Sequence, residues 1–543
     1  MSAITPQTEL RLLKCPLEED NKHQLTFSNA EAQYNYFNSL TNITADNFTY
    51  QRKDSIIRFP EHIDNLLGYN YVMYQNEAYT NKWFYAFITN MEYVNDHMTN
   101  ITIKTDCFQT WQFDIVYKKS FIEREHVNDD TVGNHTVPEQ VETREYVCND
   151  KGYLYSAGNT TYVVIGATKE PEEIGMQIDR YYNGIFSGCQ YLAFSETNGA
   201  SNYLRAMDNL GIGDAVVNVF IAPAEICGTL NFENVDIHDD RETPAHTITT
   251  RCAKIPKSTT AKLLATSSNI TSPSTLNGYT PKNNKMFTYP YNYFYVSNNA
   301  GSNVDFRYED FVNNTGLFKT YGAITPGCSI RSVPFNYKKY TGTDPYGDIF
   351  DAGITGAKYP ICSWKTDLYK NWATQNTLNL GFSTVGSATA IIGGGAMLLS
   401  GVGIPAALGL LASGVGMASN TIKEYYQHSF TPPQAQGNTN SGDVVFSAEQ
   451  MDIPYYKMSV RSEYAEIIDN YFSTYGYKVN VVKLPNVTGR QNWNFVKTID
   501  CNLEGNIPQA DVDELKAMFN KGVTFWHNTA NFLNYNASNN IVT

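Results

Sequence analysis

Lys82-Trp83-Phe84-Tyr85-Ala86-Phe87-Ile88-Thr89-Asn90-Met91-Glu92-Tyr93 decides the fold class, because its large side chains repeat every second residue. Trp83, Tyr85, Phe87, Thr89, Met91 and Tyr93 alternate with Phe84, Ala86 and Ile88, the period of a β-strand. Asn95-Asp96-His97 then supplies turn chemistry before Ile101, Ile103 and Thr105. With residues 69–74 before it and 99–113 after it, the stretch predicts three consecutive strands, a β-meander with both faces partly covered.

Working outward, further tyrosine-rich strands are expected at 161–166, 215–221 and 287–296, separated by loops rich in Asn, Thr, Ser and Gly. The C-terminal part changes type. Residues 461–475 place Tyr464, Ile467, Ile468, Tyr471, Phe472 and Tyr475 at helical spacing, with Gly476 as the residue that ends the helix. Strands follow at 477–483 and 493–500. A second helix is expected over 509–521, with Val512, Leu515, Met518 and Phe519 on one face and Gly522 after it, then a last strand over 523–527.

Charged residues are only 17% of the chain and aromatics 13%, with 39 Tyr, so polarity rests on hydroxyls and amides more than on ions. That mix suits twisted sheets with tyrosine-covered faces, a mainly β fold with some α, and 543 residues imply three or four domains. The net charge of −14 argues against a tight grip on nucleic acid. The basic runs Lys118-Lys119 and Lys338-Lys339 are only dipeptides, and an acidic wall would let DNA slide past without holding it. Nine cysteines without any C-x-x-C spacing make a disulfide framework or zinc site improbable. No secretory signal is read at the N-terminus, so folding in a reducing cytoplasm is expected.

The most unusual segment lies between Lys370 and Lys423, where no charged residue occurs. Its apolar interior carries Val385, Ile391, Ile392, Gly393, Gly394, Gly395, Met397, Leu398, Leu399, Ile404, Pro405, Leu408, Leu410, Leu411, Val415 and Met417. Such a surface cannot stay exposed to water without a partner, and its length suffices to cross a bilayer core of about 30 Å once, or to enter and return at Gly403-Ile404-Pro405. The glycines, from Gly381 to Gly416, weaken a helix by about 0.5–1 kcal/mol each, so the segment is expected to be adaptable. Gly386 with Ala390, Ala390 with Gly394, and Ala412 with Gly416 have the small-xxx-small spacing of closely packed helices. A buried helix pair, a membrane anchor and a membrane-inserting loop all remain open on composition alone.

Clusters that could carry chemistry are few. Asp236-Ile237-His238-Asp239-Asp240-Arg241-Glu242-Thr243-Pro244-Ala245-His246 could hold a cation or an acid/base pair, but reads as a solvated polar loop. Glu123-Arg124-Glu125-His126 reads as a source of inter-strand or subunit ion pairs. The carboxylates Asp344, Asp348 and Asp351 lack the oxygen spacing of a calcium loop. Gly211-Ile212-Gly213 lacks the third glycine of a dinucleotide site, and no hydrolase, zinc-protease or phosphate-loop motif occurs. No enzyme, cofactor or metal is expected.

Two long stretches resemble the tail knob family of phi29-like podoviruses, which infect Gram-positive bacteria. The first runs from Gln33-Tyr34-Asn35-Tyr36-Phe37-Asn38-Ser39 through Tyr74-Gln75-Asn76, Asn81-Lys82-Trp83-Phe84-Tyr85-Ala86-Phe87 and Gln109-Thr110-Trp111 to Ser120-Phe121-Ile122-Glu123-Arg124-Glu125-His126-Val127. The second runs from Glu463-Tyr464 through Tyr475-Gly476-Tyr477-Lys478-Val479-Asn480, Lys483-Leu484-Pro485-Asn486 and Phe495-Val496-Lys497-Thr498 to Asn520-Lys521-Gly522-Val523-Thr524 and Trp526-His527.

The resemblance implies a virion protein at the distal end of the tail: a homohexameric tube built of multi-domain β-barrel or sandwich subunits, each with a long inserted hydrophobic loop. It divides the chain into an N-terminal tube domain at 1–148, middle knob-wall domains at 149–370, the loop and linker at 371–440, and an α+β part at 441–543 that packs with the tube domain. It further implies that the loop plugs the lumen, then inserts in the host cytoplasmic membrane as a pore for genome ejection. Implied partners are further copies, the lower collar or tail tube, the distal tip, the membrane, and DNA passing without tight binding. A receptor-binding or wall-degrading tail component is the alternative.

Overall fold

The structure, a computed structural model, describes residues 8–46, 55–76, 80–156, 160–177, 181–239, 246–266, 269–337, 352–359, 361–364 and 452–542. Two compact units emerge, neither continuous in sequence. The first takes residues 1–145, 278–288 and 460–543, and the second takes 146–277 and 289–459.

In the first unit a six-stranded sheet runs in the order Asn42–Asp46, Thr8–Leu13, Tyr71–Asn76, Thr80–Asn95, Met98–Thr105, Ile56–Phe59. The expected meander is its centre. Because side chains alternate, Tyr71, Met73, Tyr85 and Phe87 pack on one face with Phe37, Trp493 and Trp526. Val72, Ala86, Ile101 and Ile103 pack on the other with Leu10, Ile57 and Leu66. Both faces are therefore covered.

One expectation fails inside this sheet. Residues 99–113 do not form a single strand: the ladder stops at Thr105 and Cys107–Trp111 turns into a helix. Asp106 is the cause, since its carboxylate accepts the Gln109 N–H at 3.0 Å as a helix cap and is itself buried, holding the Tyr71 hydroxyl at 2.9 Å.

A five-stranded sheet joins distant parts of the chain in the order His23–Leu25, Val523–Trp526, Trp493–Asp500, Ser120–Glu125, Tyr477–Lys483. Ser120–Glu125 lies between two strands that come more than 350 residues later in sequence. The helix Ser462–Tyr475 ends at Gly476, whose φ of 64° suits glycine, and a Cβ there would run into the Glu125 carbonyl. The helix Gln509–Lys521 buries Val512, Leu515, Met518 and Phe519, the last three against Phe108, Val496 and Phe525.

The second unit contains a six-stranded sheet in the order Glu233–Asp239, His246–Lys254, Gln190–Phe194, Thr161–Ala167, Val216–Pro223, Ile361–Trp364, covered on one side by the helix Thr197–Asn209. Two short two-stranded ladders and two four-stranded sheets complete its described strands. One four-stranded sheet is Lys262–Thr266, Phe318–Gly322, Ser329–Pro334, Ile354–Lys358, and the other is Tyr146–Tyr155, Ile453–Val460, Asn292–Ser297, Asn303–Phe306. The strand expected over 287–296 begins only at Asn292, after a 3-10 turn at Asn284–Phe287. Pro290 has no N–H to give a ladder, which delays the pairing. Phe294, Phe306, Phe311 and Phe318 meet with centroids 5.1 to 6.1 Å apart at the centre of this unit. The fold is thus mostly β with a minority of helix, as the composition implies.

Candidate functional site

The apolar residues singled out in the sequence, Val385 to Met417, lie outside the described residues, as do Asp344, Asp348 and Asp351. What the structure describes is the pair of strands that bracket the segment. Ile361–Trp364 is an edge strand, antiparallel to Val216–Pro223 with Asn218 opposite Trp364 and Phe220 opposite Ile361. Ile453–Val460 is an inner strand of a different sheet, with Tyr455 opposite Val296 and Ser459 opposite Asn292. Ile453 and Val460 are fully buried. Both ends of the segment are therefore built into the second unit. Among the described residues no helix is long and apolar enough to cross a membrane.

The charged residues of the first unit have structural work. Glu123 meets Lys497 across the strands at 2.8 Å, and Glu125, its side chain fully buried, pairs with Lys483 and accepts the Asn486 N–H at 3.1 Å. Burial pushes the Glu125 carboxyl up, and Lys483 partly offsets this. Arg124 donates to the Gly476 carbonyl at 2.7 Å and pairs with the buried carboxylate of Glu139. Glu139 also takes Lys285, whose ammonium burial pulls down, and the Lys478 N–H at 2.9 Å. His126 accepts the Phe495 N–H at Nδ1, 2.7 Å, and its Nε2 faces the Ser473 carbonyl at 3.1 Å. Burial holds this imidazole down at about 3, which favours the neutral ring. The expected inter-strand ion pairs at Glu123 and Glu125 are present.

Asp469, fully buried, extends the network. It accepts the Tyr279 hydroxyl at 2.8 Å and the backbone N–H groups of Lys282 and Asn283 at 2.6 and 3.1 Å. Asp130 accepts the Asn284 N–H at 3.1 Å and the Tyr477 hydroxyl at 2.6 Å. Together with Glu139, these carboxylates fasten residues 278–288 into the first unit. Sequence reasoning missed this, because Asp130, Glu139 and Asp469 stand in ordinary polar surroundings along the chain.

The Asp236–His246 cluster is a hairpin more than a loop. Glu233–Asp239 pairs with His246–Lys254, and only 240–245 lie outside the described residues. Ile237 and Ile248 turn inward, which sets the register and leaves Asp236 and His238 toward water, bonded to Thr249 and Thr247. Gly211 follows the Thr197–Asn209 helix with φ 66°, and what begins at Gly213 is only the three-residue 3-10 turn Gly213–Ala215, so the motif opens no α-helix. Among the described residues no group of three or more His, Cys, Asp or Glu could hold a metal ion. Glu170 is a further buried acid that sequence reasoning passed over. It accepts from Tyr203 at 2.5 Å, and burial raises it to about 7.

The described part of the chain is β-rich, and comparison with known proteins gives its class. Residues 6–118 match the family described as Caudoviral major tail protein N-terminus, so the front of the chain is of the phage-tail type. Residues 255–540 match Bacillus phage phi29, Tail knob protein gp9, C-terminal domain, and the chain belongs to that tail knob family. It is similar to tail knob protein gp9 of Bacillus phage phi29, 26% identical with 98% of both chains covered. It is also similar to gp9 of Bacillus phage B103, 25% identical with 96% of both covered. Among solved structures, the bacteriophage C1 tail knob protein, gp12, superposes with a TM-score of 0.61 at 14% identity, covering 98% of this chain and 100% of that one. The protein is a structural component of the virion, in the tail knob.

Proposed function

We propose that the chain forms a hexameric, barrel- or sandwich-walled distal tail tube, with residues 378–420 plugging the lumen until they insert in the host cytoplasmic membrane as a pore for the genome. The observation that carries this reading is the absence of any charge from Asn371 to Ile422, in a segment whose two ends are anchored by Ile361–Trp364 and Ile453–Val460 of one unit. An apolar segment held at both ends can leave its shelter and return without the unit unfolding. Hidden in a ring it avoids water, and transfer to lipid gains roughly 25 cal/mol per Å² of apolar area, so release is favourable only where a bilayer receives it. The acidic net charge of −14 suits a conduit that repels the passing phosphates. In this reading the terminal regions make the tube, residues 149–370 the knob wall, and contacts to neighbouring tail proteins lie at the tube ends.

Liposome dye leakage tests the proposal. The full-length protein should release dye and the variant lacking 378–420 should not, while light scattering gives both the same number of subunits per assembly. Equal leakage from the two would reject the membrane role.

A further inference from the structure

Two exposed features of the first unit carry opposite charge and matching apolar surface. One is the far end of the hairpin Thr80–Asn95, Met98–Thr105. The strand beside it ends with Tyr71 opposite Phe87, so among the described residues Thr89–Asn95 has a strand neighbour on one side only. At this tip Tyr93 and Val94 are 53% and 41% exposed, and the exposed carboxylates Glu92 and Asp96 flank them. Tyr93 is held in place, its hydroxyl donating to Asp96 at 2.6 Å and its ring set edge-on to His62 with centroids 5.5 Å apart. The other feature is an open hollow of about 570 Å³, lined among others by Lys119, Phe121, Val482, Ile499, Asp500 and Lys516. Val482 and Asp500 stand opposite Phe121 on the two neighbouring strands. Val482 and Ile499 are 59% and 60% exposed. Two ammonium groups against one carboxylate leave the rim of the hollow basic. Among the described residues Glu92, Asp96, Lys119 and Lys516 form no ion pair.

We propose that the hairpin tip of one copy seats in the hollow of a neighbouring copy, Tyr93 against Val482 and Ile499, with Glu92 and Asp96 toward Lys119 and Lys516. A tyrosine entering an apolar hollow with a polar rim is a common anchor of protein interfaces. Because Asp96 and His62 already fix the ring, little rotamer freedom is lost on docking. Charge selects the pairing. Tip against tip would bring carboxylates together and hollow against hollow would bring ammonium groups together, so only tip against hollow gains. Both halves belong to one chain, so every copy offers one of each, and a second copy of this chain is the partner that the chemistry fits. A contact between two different surfaces repeats head to tail and closes into a ring when its rotation allows. A stable interface buries about 1,200–2,000 Å², so this contact is one anchor within a larger surface. The inference deepens the assembly part of the proposed function, on which it rests, and is independent of the membrane part.

The test uses the full-length protein and has two arms. In the first, isotopically light and heavy copies of the Tyr93→Cys, Ile499→Cys variant are mixed and oxidised with copper phenanthroline, which takes up the two thiol electrons. Peptide mass spectrometry should find a disulfide between positions 93 and 499 that joins light to heavy chains. In the second arm, sedimentation gives the concentration at which copies assemble. The pair Glu92→Lys, Asp96→Lys should raise it about tenfold, and so should Lys119→Glu, Lys516→Glu. All four changes together should return it to within about threefold of the parent, a rescue that a merely disturbed fold would not give. Tyr93→Ala should raise it about thirtyfold, the loss of an anchor residue. Assembly with no link between 93 and 499 overturns the proposal and leaves the ring reading in place, as does a link confined to single chains. Failure of the fourfold variant to recover overturns it too. A protein that stays a single copy at every concentration overturns the ring reading and this contact with it.

Discussion

The two units bury different things. At the centre of the second unit Phe294 touches Phe306, Tyr308, Phe311 and Phe318, a cluster of rings whose attraction needs no particular partner atom. In the first unit Arg124, Glu125, His126, Lys285 and Asp469 are buried, each matched to a specific donor or acceptor. Ring packing gathers any chain of suitable pattern. A buried carboxylate such as Asp469 instead selects one segment, here 279–283, and penalises every alternative that leaves it unpaired. This contrast explains how eleven residues from the middle of the sequence, 278–288, come to belong to a unit otherwise made of the two ends.

Three perturbations separate the units. The largest effect is expected from Phe294→Ala, which opens a cavity at the meeting point of four rings and should cost about 4 kcal/mol, seen in calorimetry as loss of the second unit's transition alone. Glu139→Gln leaves Arg124 and Lys285 buried without their anion and should cost about 3 kcal/mol in the first unit. Hydrogen exchange should then speed up at 278–288, and a uniform change across both units would contradict the pinning role.

The smallest effect is a pH dependence. Glu170 sits at about 7 when folded against an ordinary 4.5, so the folded second unit holds a proton that the unfolded chain releases. Its contribution is complete below about 4.5 and is lost as pH rises through about 7. Thermal melts of Glu170→Gln should therefore lose part of the parent's decline over that range, and parallel curves would show that the acid is not so placed.

Where local physics suffices, the amino-acid pattern located elements to within a residue or two. The helix expected over 461–475 is Ser462–Tyr475, and those expected at 477–483, 493–500 and 509–521 have the observed bounds. Amphipathic period and a glycine at a positive φ are properties of neighbours in sequence. Residues 99–113 misled the same logic because their apolar alternation continues past Thr105. What interrupts it is Asp106, whose second partner is the Tyr71 hydroxyl, thirty-five residues away. The ion pairs of Glu123 and Glu125 were foreseeable as a kind, but Lys497 and Lys483 could not be named without the strand order. The tyrosine-rich strands were visible too. Which tyrosines reach water was not, since that depends on which face of Asn292–Ser297 the core claims.

Sequence by itself determined the strand-rich class, the C-terminal alternation of helix and strand, and the uncharged stretch after Lys370, because composition and periodicity act over a few residues at a time. Tertiary structure decided that Ser120–Glu125 sits between Tyr477–Lys483 and Trp493–Asp500, that 278–288 is pinned by Asp130, Glu139 and Asp469, and that Tyr295 and Tyr456 stack. Those pairings join residues more than a hundred positions apart, and their free energy exists only once the chain has closed the loops between them.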